Sequence, residues 1–393
     1  MNILFLMKAF EVGGQEVVTA TLAKSFIEHG HNVLITSFKT PNPLMTARLD
    51  GRIKVFIIGE FRYSHDNVKK LRTILTDNGI DIVINQWGLP YIPVKVLDEA
   101  KCGLNIKTIS IYHNQPDMNA RIKSVEIELG NEAKLLKRCF LNVKKAVFWF
   151  ITSRSMRYVY NHSDLYMVLS PSFVEKFRTF VGIHNPIHLT VQTNPVTIDS
   201  STFVYHREKK QKEVIFVGRF DYNQKRVYRI IETWALIEDC FPDWNLTLVG
   251  DGIERRNLES LARTLNLHHV SFEGFANPRP YYERASILLL TSEFEGFPLV
   301  LAECMSFGVV PVVYGSYSAV YDIIRDSENG LIVKPQIDGF SANDMAKAIK
   351  QIMENDIKRC NMAQQAIMTS RNYSIETIYK QWMDKLHILV SKN

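Results

Sequence analysis

Short runs of apolar, β-rich residues alternate along this chain with longer stretches in which apolar and polar positions follow helical spacing. In the first half the runs are Ile3–Met7, Asn32–Thr36, Ile53–Ile58, Ile82–Asn85, Thr108–Tyr112 and Leu165–Leu169. In the second half they are Val214–Gly218, Asn245–Val249, Val270–Glu273, Ile287–Leu290, Val309–Val313 and Leu331–Val333. The runs are near-continuous rather than alternating, which is how strands covered on both faces read. Such strands separated by helices predict an α/β architecture of doubly wound parallel sheets. The pattern restarts after Thr193-Asn194-Pro195-Val196, and the polar stretch Thr197–Lys212 reads as a linker. Two Rossmann-like domains facing across a cleft are expected, 1–196 and 197–375. Residues 376–393 are expected to form a C-terminal helix packing back on the first domain. Ligands of such sheets bind beyond the carboxyl ends of the strands, so the loops there carry the chemistry.

Length agrees with two domains, since the chain has 393 residues. Hydrophobic residues make up 46% and charged residues 22%, which excludes disorder, collagen and a small disulfide scaffold. The five cysteines (Cys102, Cys139, Cys240, Cys304 and Cys360) are odd in number, scattered and without a C-x-x-C. Neither a disulfide framework nor a zinc site fits them, and a reducing cytoplasm does. The apolar start Met1–Met7 lacks a basic region and reads as a first strand, not a signal peptide. The longest apolar run near the middle, Ala146–Ile151, is far short of the roughly 20 residues a spanning helix needs.

Charge changes the picture more. The net charge is +6, but residues 1–200 hold 24 Lys+Arg against 17 Asp+Glu, or +7, and the remainder hold 23 against 24, or −1. Much of the surplus falls between Ala133 and Ser163, where no acidic residue occurs. Lys134, Lys137, Arg138, Lys144, Lys145, Arg154 and Arg157 are interleaved there with Leu, Val, Phe and Trp. Bases and aromatics at helical spacing suit a helix lying in an anionic membrane surface, and residues 134–157 are its expected extent. A core-packed helix with a solvated basic edge is the competing reading. Nucleic acid is not an expected partner, because no recognition fold or stacking module is present.

Among the loops, Gly13-Gly14-Gln15-Glu16 lies between the first strand and an amphipathic helix. Two glycines let backbone approach a ligand with helix N–H groups behind it; a plain tight turn fits as well. Strand Val214–Gly218 runs into Arg219, with Lys225 near the next helix start. Two cations at such a junction suit a diphosphate, although taken alone they read first as a solvated charged loop. Val249-Gly250-Asp251-Gly252 lacks the third glycine of the dinucleotide fingerprint, since Arg255 stands there, and reads as a tight turn. The strongest segment is Thr291–Gly308. Pro298 is placed like a first helical residue and Gly308 like a stop, so a helix over about Pro298–Phe307 points its N-terminus at Glu295-Gly296-Phe297. The free N–H groups of Leu299 and Val300 there favour an anion. Glu303, one turn deeper than Leu299, suits ribose hydroxyls, and Glu295 suits sugar hydroxyls. His113 ends strand Thr108–Tyr112, where a ligand-facing role and a structural one are both open. No H-E-x-x-H, G-x-S-x-G, P-loop or Asp-x-Asp occurs, so no metal site is expected.

In this order and spacing the motifs resemble the retaining glycosyltransferase family 4 over essentially the whole chain. Glu295 and Glu303 match the family's E-x7-E signature within EGFPLVLAE, Gly218-Arg219 with Lys225 matches its G-R…K clamp, and Gly13-Gly14-Gln15-Glu16 its GGxE loop. One departure is Lys225-Arg226, where many members have Lys-Gly. The resemblance implies a GT-B fold and transfer of a sugar, with retention, from a nucleotide sugar to a glycan or lipid-linked glycan. Family habit puts UDP-sugars first and GDP-mannose second. It implies that Arg219 and Lys225 neutralise the leaving diphosphate, helped by Leu299 and Val300. Glu303 would hold the ribose, and Glu295 with Gly296 and Phe297 the donor sugar. Gly13 and Gly14 would close over the phosphates, and His113 would touch sugar or acceptor. No cofactor or metal is required, and a place at the cytoplasmic face of a membrane follows from the acceptor class. A nucleotide-sugar epimerase on the same fold, or a silent nucleotide-sugar-binding protein, are the alternatives.

Overall fold

The computed structural model describes residues 1–132 and 134–391. Ala133, the first residue of the acid-free segment, and Lys392 and Asn393, at the end of the expected C-terminal helix, lie outside the described residues. The chain divides into two compact units, one of Met1–Pro195 with Ile375–Asn393 and one of Val196–Ser374.

The first unit is built on a seven-stranded sheet of β1 (Asn2–Met7), β2 (Asn32–Ser37), β3 (Lys54–Ile57), β4 (Ile82–Asn85), β5 (Lys107–Tyr112), β6 (Leu165–Val168) and β7 (Leu189–Val191), in the order β3-β2-β1-β4-β5-β6-β7. All pairings are parallel, with Leu4 opposite Leu34 on one side and Val83 on the other. Ile3, Leu4, Phe5, Leu6 and Met7 are completely buried, as a strand covered on both faces must be. The helices between strands supply the cover. The one over His65–Asp77 starts where Ser64 Oγ accepts from Asn67 N at 3.2 Å, and it turns Val68, Leu71, Ile74 and Leu75 onto the sheet. The last helix, Ile375–Ser391, packs against the first, Gly14–Glu28, with Trp382 fully buried edge-on to Phe26.

The second unit carries a six-stranded parallel sheet of β8 (Glu213–Val217), β9 (Asn245–Val249), β10 (Val270–Gly274), β11 (Ile287–Leu290), β12 (Val310–Tyr314) and β13 (Leu331–Val333), in the order β10-β9-β8-β11-β12-β13. Every strand expected from the apolar runs is present, with ends displaced by one residue at most. The strand not anticipated is β7, three half-buried residues at a sheet edge, too short and too mixed to stand out as an apolar run. The polar stretch after Val196 is not a free linker. It belongs to the second unit, where Lys210 Nζ lies 5.5 Å from the Phe203 ring centre and donates to the Tyr282 carbonyl at 2.8 Å.

Both sheets reverse strand order once, at β1/β4 and at β8/β11. At such a switch the connections leave in opposite directions and open a crevice beyond the strand ends. The candidate residues after β1, β8 and β11 therefore sit where the topology leaves room. At the second switch the loops after β8 and β9 meet backbone to backbone. A Cβ on Gly250, whose φ is +146°, would lie 1.8 Å from the Gly218 carbonyl oxygen. The Val-Gly-Asp-Gly sequence is thus a close-approach device, consistent with its reading as a tight turn.

Candidate functional site

In the second unit, two loops join at the β8/β11 switch. Lys225, after β8, places Nζ 2.6 Å from Glu295 Oε1, after β11. Their side chains are only 15% and 8% exposed, so the pair is screened little by water and holds the two loops firmly. Gln224 Nε2 donates to Glu295 Oε2 at 3.2 Å and to the Phe294 carbonyl at 3.3 Å, while Glu293 N donates to the Gln224 carbonyl at 2.7 Å. Arg229 Nη2 pairs with Glu293 Oε2 at 3.0 Å. Arg219 differs: its side chain is 66% exposed, reaching Gln224 Oε1 only at 3.4 Å and Asp221 Oδ2 at 3.9 Å. One cation is therefore committed to a carboxylate and the other stands open to an incoming anion.

The helix after Glu295 runs over Leu299–Ser306. Pro298 is its cap rather than its first turn, with ψ of 85°, so Leu299 and Val300 occupy the first two helical positions. N–H groups there have no partner within the helix. Gly296 leads into this cap, and Phe297 is buried with its ring edge on Tyr373, 5.3 Å between centres. Glu303 points into the unit. Its carboxylate accepts from Thr197 Oγ1 at 2.5 Å and from Tyr282 OH at 3.3 Å, and burial raises its pKa. Thr197 thus already fills one of the acceptor positions that Glu303 offers.

In the first unit, Gly13 caps the Gly14–Glu28 helix in an extended conformation with no side-chain cap bond. The Glu16 carboxylate folds back over it, so that a Cβ on Gly13 would lie 2.5 Å from Glu16 Oε2. Burial raises the Glu16 pKa. Gln15 Nε2 donates to the Gln86 carbonyl, after β4, at 2.9 Å. His113, after β5, places Nε2 2.5 Å from Gln86 Oε1. Gln15 and Gln86 thus connect Gly13 and Gly14 to His113. Burial lowers the His113 pKa to about 3, so its imidazole is neutral at ordinary pH. With Oε1 as acceptor, Nε2 carries the proton and Nδ1 keeps its lone pair.

Gln86, Gln224, Thr197 and Tyr282 were not singled out from sequence. Gln86 and Gln224 had a readable signal, since both follow strands at an order reversal. Thr197 and Tyr282 had none, because only the fold brings them to Glu303. Among the described residues, no group of three or more His, Cys, Asp or Glu is arranged to hold a metal ion.

Two family descriptions match the chain: Glycosyltransferase Family 4 over residues 12–199 and Glycosyl transferases group 1 over residues 198–369. An uncharacterized glycosyltransferase of Haemophilus influenzae is 24% identical over 387 residues, covering 96% of this chain and 97% of that protein. The GalNAc-alpha-(1->4)-GalNAc-alpha-(1->3)-diNAcBac-PP-undecaprenol alpha-1,4-N-acetyl-D-galactosaminyltransferase of Campylobacter jejuni is 25% identical over 396 residues, covering 98% and 97%. Among solved structures, Anabaena HepE in complex with UDP-glucose superposes with a TM-score of 0.73 at 17% identity, over 98% of this chain and 99% of that one. Sucrose-phosphate synthase of Thermosynechococcus elongatus does so with a TM-score of 0.75 at 18% identity, over 100% of both. At these identities the structural likeness establishes the fold, which is GT-B.

Proposed function

The chain belongs to the group 1, family 4 glycosyltransferases, and from that premise we propose that it moves a sugar with retention from a UDP-linked donor to a glycan or lipid-linked glycan. The observation that carries this reading is the β8/β11 switch, where exposed Arg219 stands beside the buried Lys225–Glu295 pair. Two cations and a carboxylate in one rim suit a diphosphate joined to a polyol. Arg219 takes the diphosphate first. Lys225 keeps one of its three donors on Glu295 and turns the others to the leaving oxygens, where charge grows as the glycosidic bond breaks. Leu299 and Val300 N–H groups add fixed donors. Glu295 holds sugar hydroxyls, and Glu303 exchanges its bond from Thr197 for one from a ribose hydroxyl. In the first unit, neutral His113 is available to position the acceptor.

The names of similar proteins support the donor and acceptor classes, since one is crystallised with UDP-glucose and another acts on an undecaprenol-linked glycan. No described helix is long and apolar enough to cross a membrane. Contact with such an acceptor is assigned instead to the Leu135–Asn161 helix, lying on an anionic surface at the cytoplasmic face.

The test is Arg219→Ala, assayed for transfer and for donor hydrolysis against a panel of nucleotide sugars. A folded variant is expected to lose about 10²–10³ in kcat/KM, the range for a removed electrostatic stabiliser. Near wild-type turnover would sink the assignment of Arg219.

A further inference from the structure

Buried hydroxyls in the second unit are paired almost everywhere. Thr247 Oγ1 donates to Glu213 at 2.6 Å, Ser286 Oγ to the Gln211 carbonyl at 2.6 Å and Thr233 Oγ1 to the Arg229 carbonyl at 2.7 Å. Three have no partner among the described residues: Ser292 Oγ, Tyr317 OH and Ser318 Oγ. Their positions are not scattered. Ser292 is the second residue past β11, and Tyr317 and Ser318 are the third and fourth past β12, its neighbour in the sheet. Ser316 Oγ donates to the Ser292 carbonyl at 2.7 Å and ties the two loops together. Tyr317 is only 4% exposed. Its hydroxyl is held well above the ordinary pKa range by burial and then by the nearby Glu295 charge, so it remains a proton donor.

An unpaired buried hydroxyl carries its desolvation penalty with no hydrogen bond to offset it. Three of them lie in the loops after two adjacent strands, and Tyr317 feels the charge of the candidate sugar-binding carboxylate Glu295. Their chemistry selects the class of ligand they suit. A phosphate calls for cations, which lie in the loop after β8, and a nucleobase calls for flat apolar faces. Uncharged hydroxyls that both donate and accept match a polyol.

We propose that Ser292, Tyr317 and Ser318 form the subsite for the hydroxyl groups of the transferred sugar, and that Tyr317 decides which sugar is accepted. This rests on the reading of the chain as a nucleotide-sugar glycosyltransferase. It adds specificity residues outside the E-x7-E segment and on a different loop. A sugar seated here completes three bonds that free UDP leaves unmade, so it adds affinity only for the intact donor.

The experiment is calorimetric titration of wild type, Tyr317→Phe and the Ser292→Ala/Ser318→Ala double variant with UDP, UDP-glucose, UDP-galactose, UDP-N-acetylglucosamine and UDP-N-acetylgalactosamine, with donor hydrolysis measured in parallel. Tyr317→Phe removes an unpaired group, so its Tm is expected to equal or exceed that of wild type. Its affinity for UDP should stay within about 2-fold, while the preferred UDP-sugar weakens about 5- to 10-fold and the order of preference changes. The proposal is overturned if both variants bind and hydrolyse every sugar as wild type does, or if UDP and UDP-sugar weaken equally. If wild type neither binds nor hydrolyses any of the five, or any GDP-sugar, the glycosyltransferase reading itself falls and takes the subsite with it.

Discussion

At the scale of single residues, Arg226 is the most informative departure from its family. Many members have glycine after the clamp lysine, and Arg226 has φ of 52°, the left-handed region that glycine favours. The loop therefore keeps its shape with a residue that strains to adopt it, at about 1–2 kcal/mol. Part of that cost is offset where the guanidinium lies 4.7 Å from the Tyr222 ring centre. Arg226→Ala loses the ring contact and keeps the strain, whereas Arg226→Gly loses the contact and the strain together. Chemical denaturation should find the glycine variant more stable than the alanine variant by about 1 kcal/mol. Equal stabilities would mean that the loop relaxes when the side chain is cut back. The types of the site residues were legible in the sequence, but their pairing was not. Lys225 and Glu295 are 70 positions apart. Their contact follows from β8 and β11 being neighbours, which no local pattern states. For the same reason the commitment of Glu303 to Thr197 was invisible.

At the scale of elements, the basic segment 134–157 shows what a charge count leaves out. It forms one helix, Leu135–Asn161, as its spacing implies. Three of the segment's seven bases pair with acids of the preceding helix, Ala120–Asn131, and the residue after it. Lys145 pairs with Glu126 at 2.8 Å, Lys144 with Glu128 at 3.5 Å and Lys137 with Glu132 at 2.5 Å. Those glutamates lie just outside the acid-free window, so the sequence showed the bases without their partners. Arg154 and Arg157 make no ion pair among the described residues. Outward, beside exposed Arg154 and Arg157, the helix carries an apolar stripe: Leu136 is 88% exposed, and Phe140, Val143, Val147 and Phe150 continue it. Membrane contact through this helix should then depend more on the stripe than on the lysines. Leu136→Glu with Phe150→Glu is expected to abolish co-sedimentation with vesicles containing anionic lipid and to leave Tm unchanged, because both side chains are exposed. Lys144→Gln with Lys145→Gln should reduce it only partly. Retention of binding by the glutamate variant would rule out the helix as the contact.

At the scale of the molecule, the chain is discontinuous in one unit and continuous in the other. The first unit is completed by the Ile375–Ser391 helix, whose Trp382 and Tyr379 rings pack on Phe26 at 6.1 and 5.7 Å. His31 Nε2 lies 3.1 Å from Tyr379 OH as well. Trp382→Ala opens a cavity there, costing about 3–5 kcal/mol. Hydrogen exchange should show the loss first in the Gly14–Glu28 helix and β1, before any strand of β8–β13. Uniform loss across both sheets would show that the last helix supports more than the first unit. The two-sheet architecture was readable because buried parallel strands write themselves as apolar runs. The short edge strand β7 and the packing of Thr197–Lys212 were not, because both are set by tertiary contacts and not by local pattern.

The second unit also closes on itself, since Val196 N donates to the Tyr373 carbonyl at 2.7 Å. Its first and next-to-last residues are thus hydrogen-bonded neighbours. A segment whose ends meet behaves as a cassette: it can be lifted out, or replaced by a relative of different donor preference, without rethreading its host. The polypeptide is in that sense two inheritances, joined where a single backbone hydrogen bond closes the loop.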